Sequence, residues 1–433
     1  MLVLSLVVQP GTYASGAWRL PGNEVERATD LSWYTELARR AETAGFHALF
    51  QADKLALPPE EWDHLLSPLE PVSLFSALAA VTDRIGLVAT LSTTYSEPYN
   101  VARQFATLDH LSRGRAGINI VTTSDPRAGA NFGSALPDHA RRYERADAFI
   151  SVFKDLCLSW ERDAIVVDRA TGLQTRADRI HPVDHHSDFF HVAGPLDTPR
   201  PPQGYPVLFQ AGQSANGLTV AARHAEVLFG VVNHLPTAQQ TYRRIKDATT
   251  AAGRNPDHLK FVPALNTVVG STEEEAQRLY QQVREAAGKD EYAQDVSDVL
   301  GFDISTADAD RVVTAEDLVT QENAKGTSWL GMIAEDVRRT GRTTVGDLRR
   351  HFSTIGRSGH LQMIGTPEQV ADQITEWYRG KAVDGFNLQP IPVPTGAWTF
   401  FDEVVPLLVK NGVFDPEPTG ATFRERLGLP PVH

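Results

Sequence analysis

"AGINIVTTSDPRAGANFG", residues 116–133, decides how the chain folds. Its first six residues, Ala116 to Val121, are small, apolar or β-branched except for Asn119, the composition of a buried strand. Thr122 and Thr123 then give way to Asp125, Pro126, Arg127, Gly129 and Gly133, a polar loop punctuated by glycine. Beyond the loop, Tyr143, Ala146, Ile150, Phe153, Cys157 and Trp160 recur at three- and four-residue steps, while Arg141, Arg142, Glu144, Arg145 and Asp147 take the other side. That is one apolar face of an amphipathic helix. Strand, polar loop and helix make one βα unit.

The unit repeats. Strand-like runs begin at Leu2, Ala48, Ile85, Ala116, Pro206, Val227, Phe261 and Gly385, and between them lie stretches of helical spacing: 30–44, 71–82, 98–111, 272–287 and 367–379. Gly45 and Gly114 stand where helix stops are expected. Alternating strands and helices predict a parallel sheet, and eight units predict a (β/α)8 TIM barrel, here one domain over 1–433. Two connections are too long to be ordinary loops. They are read as insertions, at about 162–205 and 288–364, the second a mobile cover over the barrel mouth.

Composition narrows the partners. Acids outnumber bases 54 to 41 for a formal charge of −13, which argues against a nucleic-acid or anionic-membrane surface as the main partner. A single cysteine, Cys157, leaves no intramolecular disulfide or multi-thiolate metal site and suits a reducing cytoplasm. It falls on the apolar helix face, as an inert core thiol does. "MLVLSLVVQPG" lacks a basic lead and a small-residue cleavage site, so it is expected to be the first strand and not a signal peptide. No run approaches the ~20 apolar residues of a membrane span.

In such a barrel, chemistry sits where the strands end. Those positions hold Asp53, Thr90 to Thr94, Asn119, Thr122, Thr123 and Gln210 to Ser214: small or polar groups fit to bind a neutral ring with a phosphate tail. In "QAGQSANG", Ser214 opens a helix, where free N–H groups favour a phosphate; a plain N-cap explains it equally. His139 and Tyr143 share one helix face at its first turn, either as ligand donors or as a solvated cap neighbour and the first core residue. No strand is followed by G-x-G-x-x-G, so no nicotinamide-binding Rossmann unit is expected. "HPVDHHSDFFH", 181–191, carries metal-ligand types but lies in a proline-containing connection without preset geometry, and metal is disfavoured. Asp83, Arg84 and Asp109 fit structural ion pairs at helix ends. Trp18 is either pocket wall or loop packing.

Taken in order, "EPVSLFSALAAVTDRIGLVATLSTTYSEPYNVARQFATLDHLSRGRAGINIVTT", "ANFG", "RYERADAF", "HVAGPLDTPRPPQGYPVLFQAGQSANG", "GTPEQVAD" and "DGFNLQPIPVPTG" closely resemble the reduced-flavin monooxygenases of the nitrilotriacetate, pristinamycin-synthase and dibenzothiophene-sulfone group, within the bacterial luciferase-like superfamily. The resemblance runs from about Trp18 to the terminal "FRERLGL". It implies a (β/α)8 barrel taking FMN as FMNH2 from a separate NAD(P)H:flavin reductase, activating O2 as a flavin (hydro)peroxide and oxygenating a small organosulfur, amine-carboxylate or related substrate. A homodimer or homotetramer is implied too. By motif, the FMN contacts would be Asp53, Thr90, Thr123, His139, Tyr143 and Ser214, with Asn119 the catalytic candidate near the flavin's reactive edge.

There are departures. Ile118 stands where the family usually has Trp, Thr123 where it has Ser, Thr12 and Tyr13 where a His-containing loop is usual, and Lys54 where a small residue is expected. Those at the strand-one loop and Lys54 bear on substrate choice. Two alternatives remain: an F420-dependent oxidoreductase, needing neither O2 nor reductase, and a non-catalytic flavin-binding protein.

Overall fold

The 116–121 run is a strand, Ala116–Val121 (β4), with neighbours on both sides. A computed structural model describes residues 1–11, 16–57, 69–286, 297, 300–318, 343–346, 348 and 360–432. Val3–Val7 (β1), Ala48–Gln51 (β2) and Gly86–Ser92 (β3) precede β4. Val207–Ala211 (β5), Val227–Phe229 (β6), Lys260–Phe261 (β7), Ala264–Val269 (β8), Leu361–Gly365 (β9) and Gly385–Pro390 (β10) follow it. All ten share one parallel sheet, ordered β7-β6-β5-β4-β3-β2-β1-β10-β8-β9.

The sheet has ten strands where eight runs predict eight, for two reasons. The Phe261 run is interrupted at Val262–Pro263, because proline has no N–H to give to a ladder; β7 pairs with β6, and β8 with β10 and β9. The chain still bonds across the break, Val262 N–H to Leu228 O at 2.9 Å and Ala264 N–H to Gly230 O at 3.2 Å. Strand β9 lies at the end of the expected 288–364 insertion, where Gln362 and the flanking glycine mask a short apolar run.

Strand alternation separates two apolar layers. Leu4, Leu49, Leu87, Ile118, Leu208 and Phe386 pack with helix residues such as Phe105 and Phe153. Val3, Phe50, Val88, Val207 and Phe209 form a separate cluster on the opposite face. At the N-terminal end of the strands this inner layer meets Phe423 of the short helix Phe423–Arg426, whose ring stacks on Phe209. Gly86 and Gly117 make room for it: a Cβ on Gly86 would sit 2.8 Å from the Phe423 ring, and one on Gly117 would sit 3.4 Å from it.

Helices Leu31–Thr43 (α1), Pro71–Ala79 (α2), Pro98–Leu111 (α3) and His139–Cys157 (α4) follow β1 to β4, and Ala215–His224 (α5) follows β5. Gly45 and Gly114 end α1 and α3 at φ +82° and +84°, the left-handed backbone only glycine adopts freely. Helix α2 stops at Ala79, three residues before the predicted end, because the buried Arg115 guanidinium takes the carbonyls of Ala79 and Thr82. The 162–205 insertion carries two small hairpins, Ile165–Asp168 with Leu173–Thr175 and His185–His186 with His191–Val192. The reading of 288–364 as a cover falls mostly outside the described residues, as do Thr12 and Tyr13.

Candidate functional site

Alternation on β4 turns Ile118 and Ile120 toward the helices and Asn119 to the inner face. Asn119 pairs in register with Thr90 of β3, and its Nδ2 donates to Thr90 Oγ1 at 2.9 Å. Its Oδ1 is buried with no partner. A buried amide acceptor left open costs about 1–3 kcal/mol, which is tolerated where something else is to be bound.

One turn on, Thr123 sits at φ +46°, a conformation uncommon for a β-branched residue. Its hydroxyl donates to Ser92 Oγ at 2.6 Å, and its carbonyl accepts from Arg142 Nη1. Helix α4 begins close by, because Asp138 caps it through the Arg141 N–H at 2.9 Å.

On the first turns of α4, the His139 and Tyr143 rings lie 4.9 Å apart. His139 Nδ1 is 3.4 Å from Asn216 Nδ2, near the start of α5. Burial, then the positive charge of Arg142, holds the His139 pKa below the ordinary imidazole value. Ser214 caps α5, accepting the Gly217 N–H at 3.1 Å. The Tyr143 hydroxyl reaches the same turn. A Cβ on Gly212 would sit 2.8 Å from it, and one on Gly217 3.1 Å. The turn is therefore built around that hydroxyl, and the N-termini of α4 and α5 converge on it.

Asp53, past the end of β2, is half-buried and accepts the Lys54 N–H at 2.9 Å. Burial, with help from Glu70, raises its pKa above the ordinary aspartate value. Thr90 thus joins Asn119, and His139 and Tyr143 join the Ser214 turn. Asp53 touches none of them.

Several groups at the strand ends escaped the sequence. Phe50 of β2 stacks on Phe229 of β6 at 5.7 Å, and His360, just before β9, stands edge-on to Phe229 at 6.0 Å. His360 Nδ1 is 3.2 Å from Gln389 Oε1 on β10, and burial pushes its pKa down to about 4. No run of length announced β9, so His360 had no strand to belong to. Arg142 was assigned to the solvated side of α4, yet it is buried; its spacing of three from His139 was the available signal.

Other expectations resolve as structure. The sequence predicts an ion pair for Asp109; it is buried and instead accepts from neutral groups, the Ala116 N–H and both the backbone and side chain of Gln203. The Cys157 thiol is buried, and burial raises its pKa. In the histidine run, His186 meets His191 and Asp184 while His181 turns to Glu161. Among the described residues no three such side chains converge as a metal site, and no helix is long and apolar enough to cross a membrane. Trp18 is 44% exposed on a short 3-10 turn.

A parallel sheet flanked by helices, with amide and hydroxyl groups at its strand ends beside two converging helix N-termini, defines the class as α/β. The particular family follows from comparison with known proteins: the chain belongs to the luciferase-like monooxygenases, whose profile matches residues 4–385. It is 40% identical to the N-acetyl-S-(2-succino)cysteine monooxygenase of Bacillus subtilis (strain 168), across 95% of this chain and 93% of that one. It is 38% identical to the nitrilotriacetate monooxygenase component A of Aminobacter aminovorans, across 96% and 93%. The crystal structure of riboflavin lyase (RcaE), with modified FMN and its substrate riboflavin, superposes with a TM-score of 0.87 at 32% identity, covering 100% of this chain and 96% of that one. The resemblance drawn from the motifs is thereby established.

Proposed function

We propose that this protein is a two-component monooxygenase that takes reduced FMN from a separate NAD(P)H:flavin reductase and uses O2 to oxygenate a small organosulfur, amine-carboxylate or related compound. The observation that carries it is the turn at Gly212–Gly217, where the Tyr143 hydroxyl, the Ser214 cap and His139 meet at two helix N-termini. That is the donor set a flavin phosphate needs. The residues fit the cofactor elsewhere too: Asn119 and Thr90 offer an amide and a hydroxyl to a ring edge, Thr123 lines the same wall, and Asp53 offers a half-buried carboxyl just past β2.

Bound flavin supplies the electrons that activate O2. The chain's part is to bind, orient and exclude water, so a site without a close carboxylate pair or nucleophile triad is what this chemistry needs. Asn119, with an open buried acceptor, is the catalytic candidate.

Supporting the reading, the riboflavin lyase structure holds a flavin, and the Aminobacter relative is named as one component of its enzyme. The monooxygenase relatives favour O2 chemistry over an F420-dependent hydride transfer. Hydrogen bonds across Val262–Pro263 link β6 to the segment that also pairs with β10, which supports a closed (β/α)8 barrel. We take 1–433 as one such domain with insertions at about 162–205 and 288–364. The resemblance supports a homodimer or homotetramer, and the single cysteine suits the cytoplasm.

Protein loaded anaerobically with FMNH2 and mixed with oxygenated buffer should reoxidise more slowly than free flavin in stopped-flow absorbance. Reoxidation at the free-flavin rate would reject the monooxygenase site. Tyr143→Phe and Ser214→Ala should each weaken FMNH2 binding, and unchanged affinity in both would reject the phosphate assignment.

A further inference from the structure

Three arginines among the described residues are buried: Arg115, Arg142 and Arg424. A guanidinium stays charged in a protein and brings five N–H donors, so each must find partners or wait for one. Arg115 makes five hydrogen bonds, to Ser112 O, Ala79 O, Thr82 O, Ile85 O and Thr82 Oγ1. Arg424 holds both oxygens of Glu226 and reaches the Tyr205 and Pro430 carbonyls; only its Nε goes without. Arg142 is 6% exposed, makes one side-chain hydrogen bond, to the Thr123 carbonyl, and leaves a buried Nε without a partner. Among the described residues it makes no ion pair. Asp125, on the loop after β4, is occupied by Arg127 at 2.8 and 2.9 Å.

Its position gives the underused charge a meaning. His139, Arg142 and Tyr143 are spaced to share one face of α4, and that face meets the end of β4 at Thr123 and the Gly212–Gly217 turn at Tyr143. The nearby Tyr95 hydroxyl is buried and also without a partner. A desolvated cation, a phenol and an imidazole thus gather where the described carboxylates are engaged elsewhere: Asp125 holds Arg127, and Asp138, whose charge reaches His139, caps α4 through the Arg141 N–H.

We infer that Arg142 is the cation of an oxyanion subsite at the rim of β4, its counter-charge delivered by a bound ligand: a phosphate monoester or a carboxylate. The two sources are the phosphate of FMN and an acidic group of the substrate, and the first rests on the flavin reading above. A charge-assisted bond from a desolvated guanidinium contributes about ten- to hundred-fold in affinity.

The test is calorimetric titration of the wild type, Arg142→Gln and Arg142→Lys with FMN, riboflavin, inorganic phosphate and citrate, with thermal unfolding of each variant. If FMN delivers the charge, the wild type prefers FMN to riboflavin by more than about ten-fold, Arg142→Gln cuts that preference by about ten-fold or more while Tyr143 and the Ser214 turn keep the remainder, and Arg142→Lys loses less of it. If the substrate delivers it, the FMN to riboflavin ratio survives in Arg142→Gln while citrate binding is lost. Either result supports the subsite. Unchanged binding of FMN, phosphate and citrate in Arg142→Gln would overturn it. So would a large drop in Tm, because an arginine waiting for a ligand stabilises the free protein little. A wild type that binds no flavin but loses phosphate or citrate binding on Arg142→Gln would reject the flavin reading and keep the subsite.

Discussion

The two ends of the parallel sheet treat polar groups in opposite ways. At the N-terminal ends of the strands, Arg115, Asp109, Gln203, Glu226 and Arg424 are buried in a mesh of hydrogen bonds in which the Arg424 Nε alone goes without a partner, and Phe423 seals the centre. At the C-terminal ends, Asn119 Oδ1, Tyr95 Oη and Arg142 Nε are buried without partners, Thr123 holds a left-handed backbone, and Asp53 is half-buried with a raised pKa. A buried polar group left open costs the free protein stability. On the function proposed above, the floor serves folding and the mouth serves a ligand, the division expected when strand ends carry function.

The largest effect expected from breaking this comparison is at the floor. Glu226→Gln removes the charge that Arg424 grips and leaves a buried cation, so urea unfolding should show a loss of about 3–5 kcal/mol. Flavin affinity of the folded fraction should not change. A loss below about 1 kcal/mol would mean that the floor pair behaves like a surface ion pair.

Acid should attack both ends at once. His47, near the floor, accepts the Leu4 N–H, and burial lowers its pKa to about 4, as it does for His360 at the mouth. A histidine whose folded pKa lies below its unfolded one binds the proton more readily when unfolded. Its neutral form stabilises fully above about pH 6.5, and this stability is lost as pH falls from there to about 4, by about 3 kcal/mol per histidine. Denaturation midpoints across that window should flatten in part in His47→Gln and further in a His47→Gln, His360→Gln double variant. An unchanged slope would place the acid sensitivity elsewhere.

Next comes the turn under Tyr143. Gly212 lies at φ +140° with the Tyr143 hydroxyl where a side chain would be. Gly212→Ala should cost about 1–2 kcal/mol of stability and about ten-fold in FMNH2 affinity by displacing that hydroxyl. Equal FMNH2 binding in the variant and the wild type would separate the turn from the ligand.

How much of this was legible in the sequence follows the same division. The eight strand runs and the α1, α3 and α4 stretches were readable because hydrophobic periodicity records burial, and burial dominates the sheet. Asn119, Thr90 and Ser214 stood out as polar residues where apolar strands end. Strand β9 was not legible, since its five residues follow a long insertion, and the break at Pro263 hides inside an otherwise continuous run. Arg142 was missed for a physical reason: periodicity assigns charged residues to solvent, and only the fold shows a guanidinium turned inward beside Thr123. The floor network was equally hidden, because Glu226 and Arg424 lie far apart in the chain and meet only when the C-terminal helix docks.

The smallest expected effect sharpens the comparison most. Asn119→Leu replaces an amide by an apolar group of similar size and so does two things to stability. It takes the donor from the buried Thr90 Oγ1, a loss of about 1–3 kcal/mol, and it removes the buried, unpartnered Asn119 Oδ1, a gain of about 1–3 kcal/mol. The two nearly cancel, so stability from chemical denaturation should change by no more than about 1 kcal/mol. Reduced-flavin turnover, by contrast, should fall sharply, because the amide that faces the ligand is gone. The same substitution at a satisfied floor residue has no such release, and Gln203→Leu, which strands both Asp109 and the Arg424 N–H, should destabilise by several-fold more. If Asn119→Leu instead cost more than about 2 kcal/mol, its open acceptor would have been answered in the free protein after all. Asn119 would then belong with the floor, and the catalytic assignment at the end of β4 would fall with it.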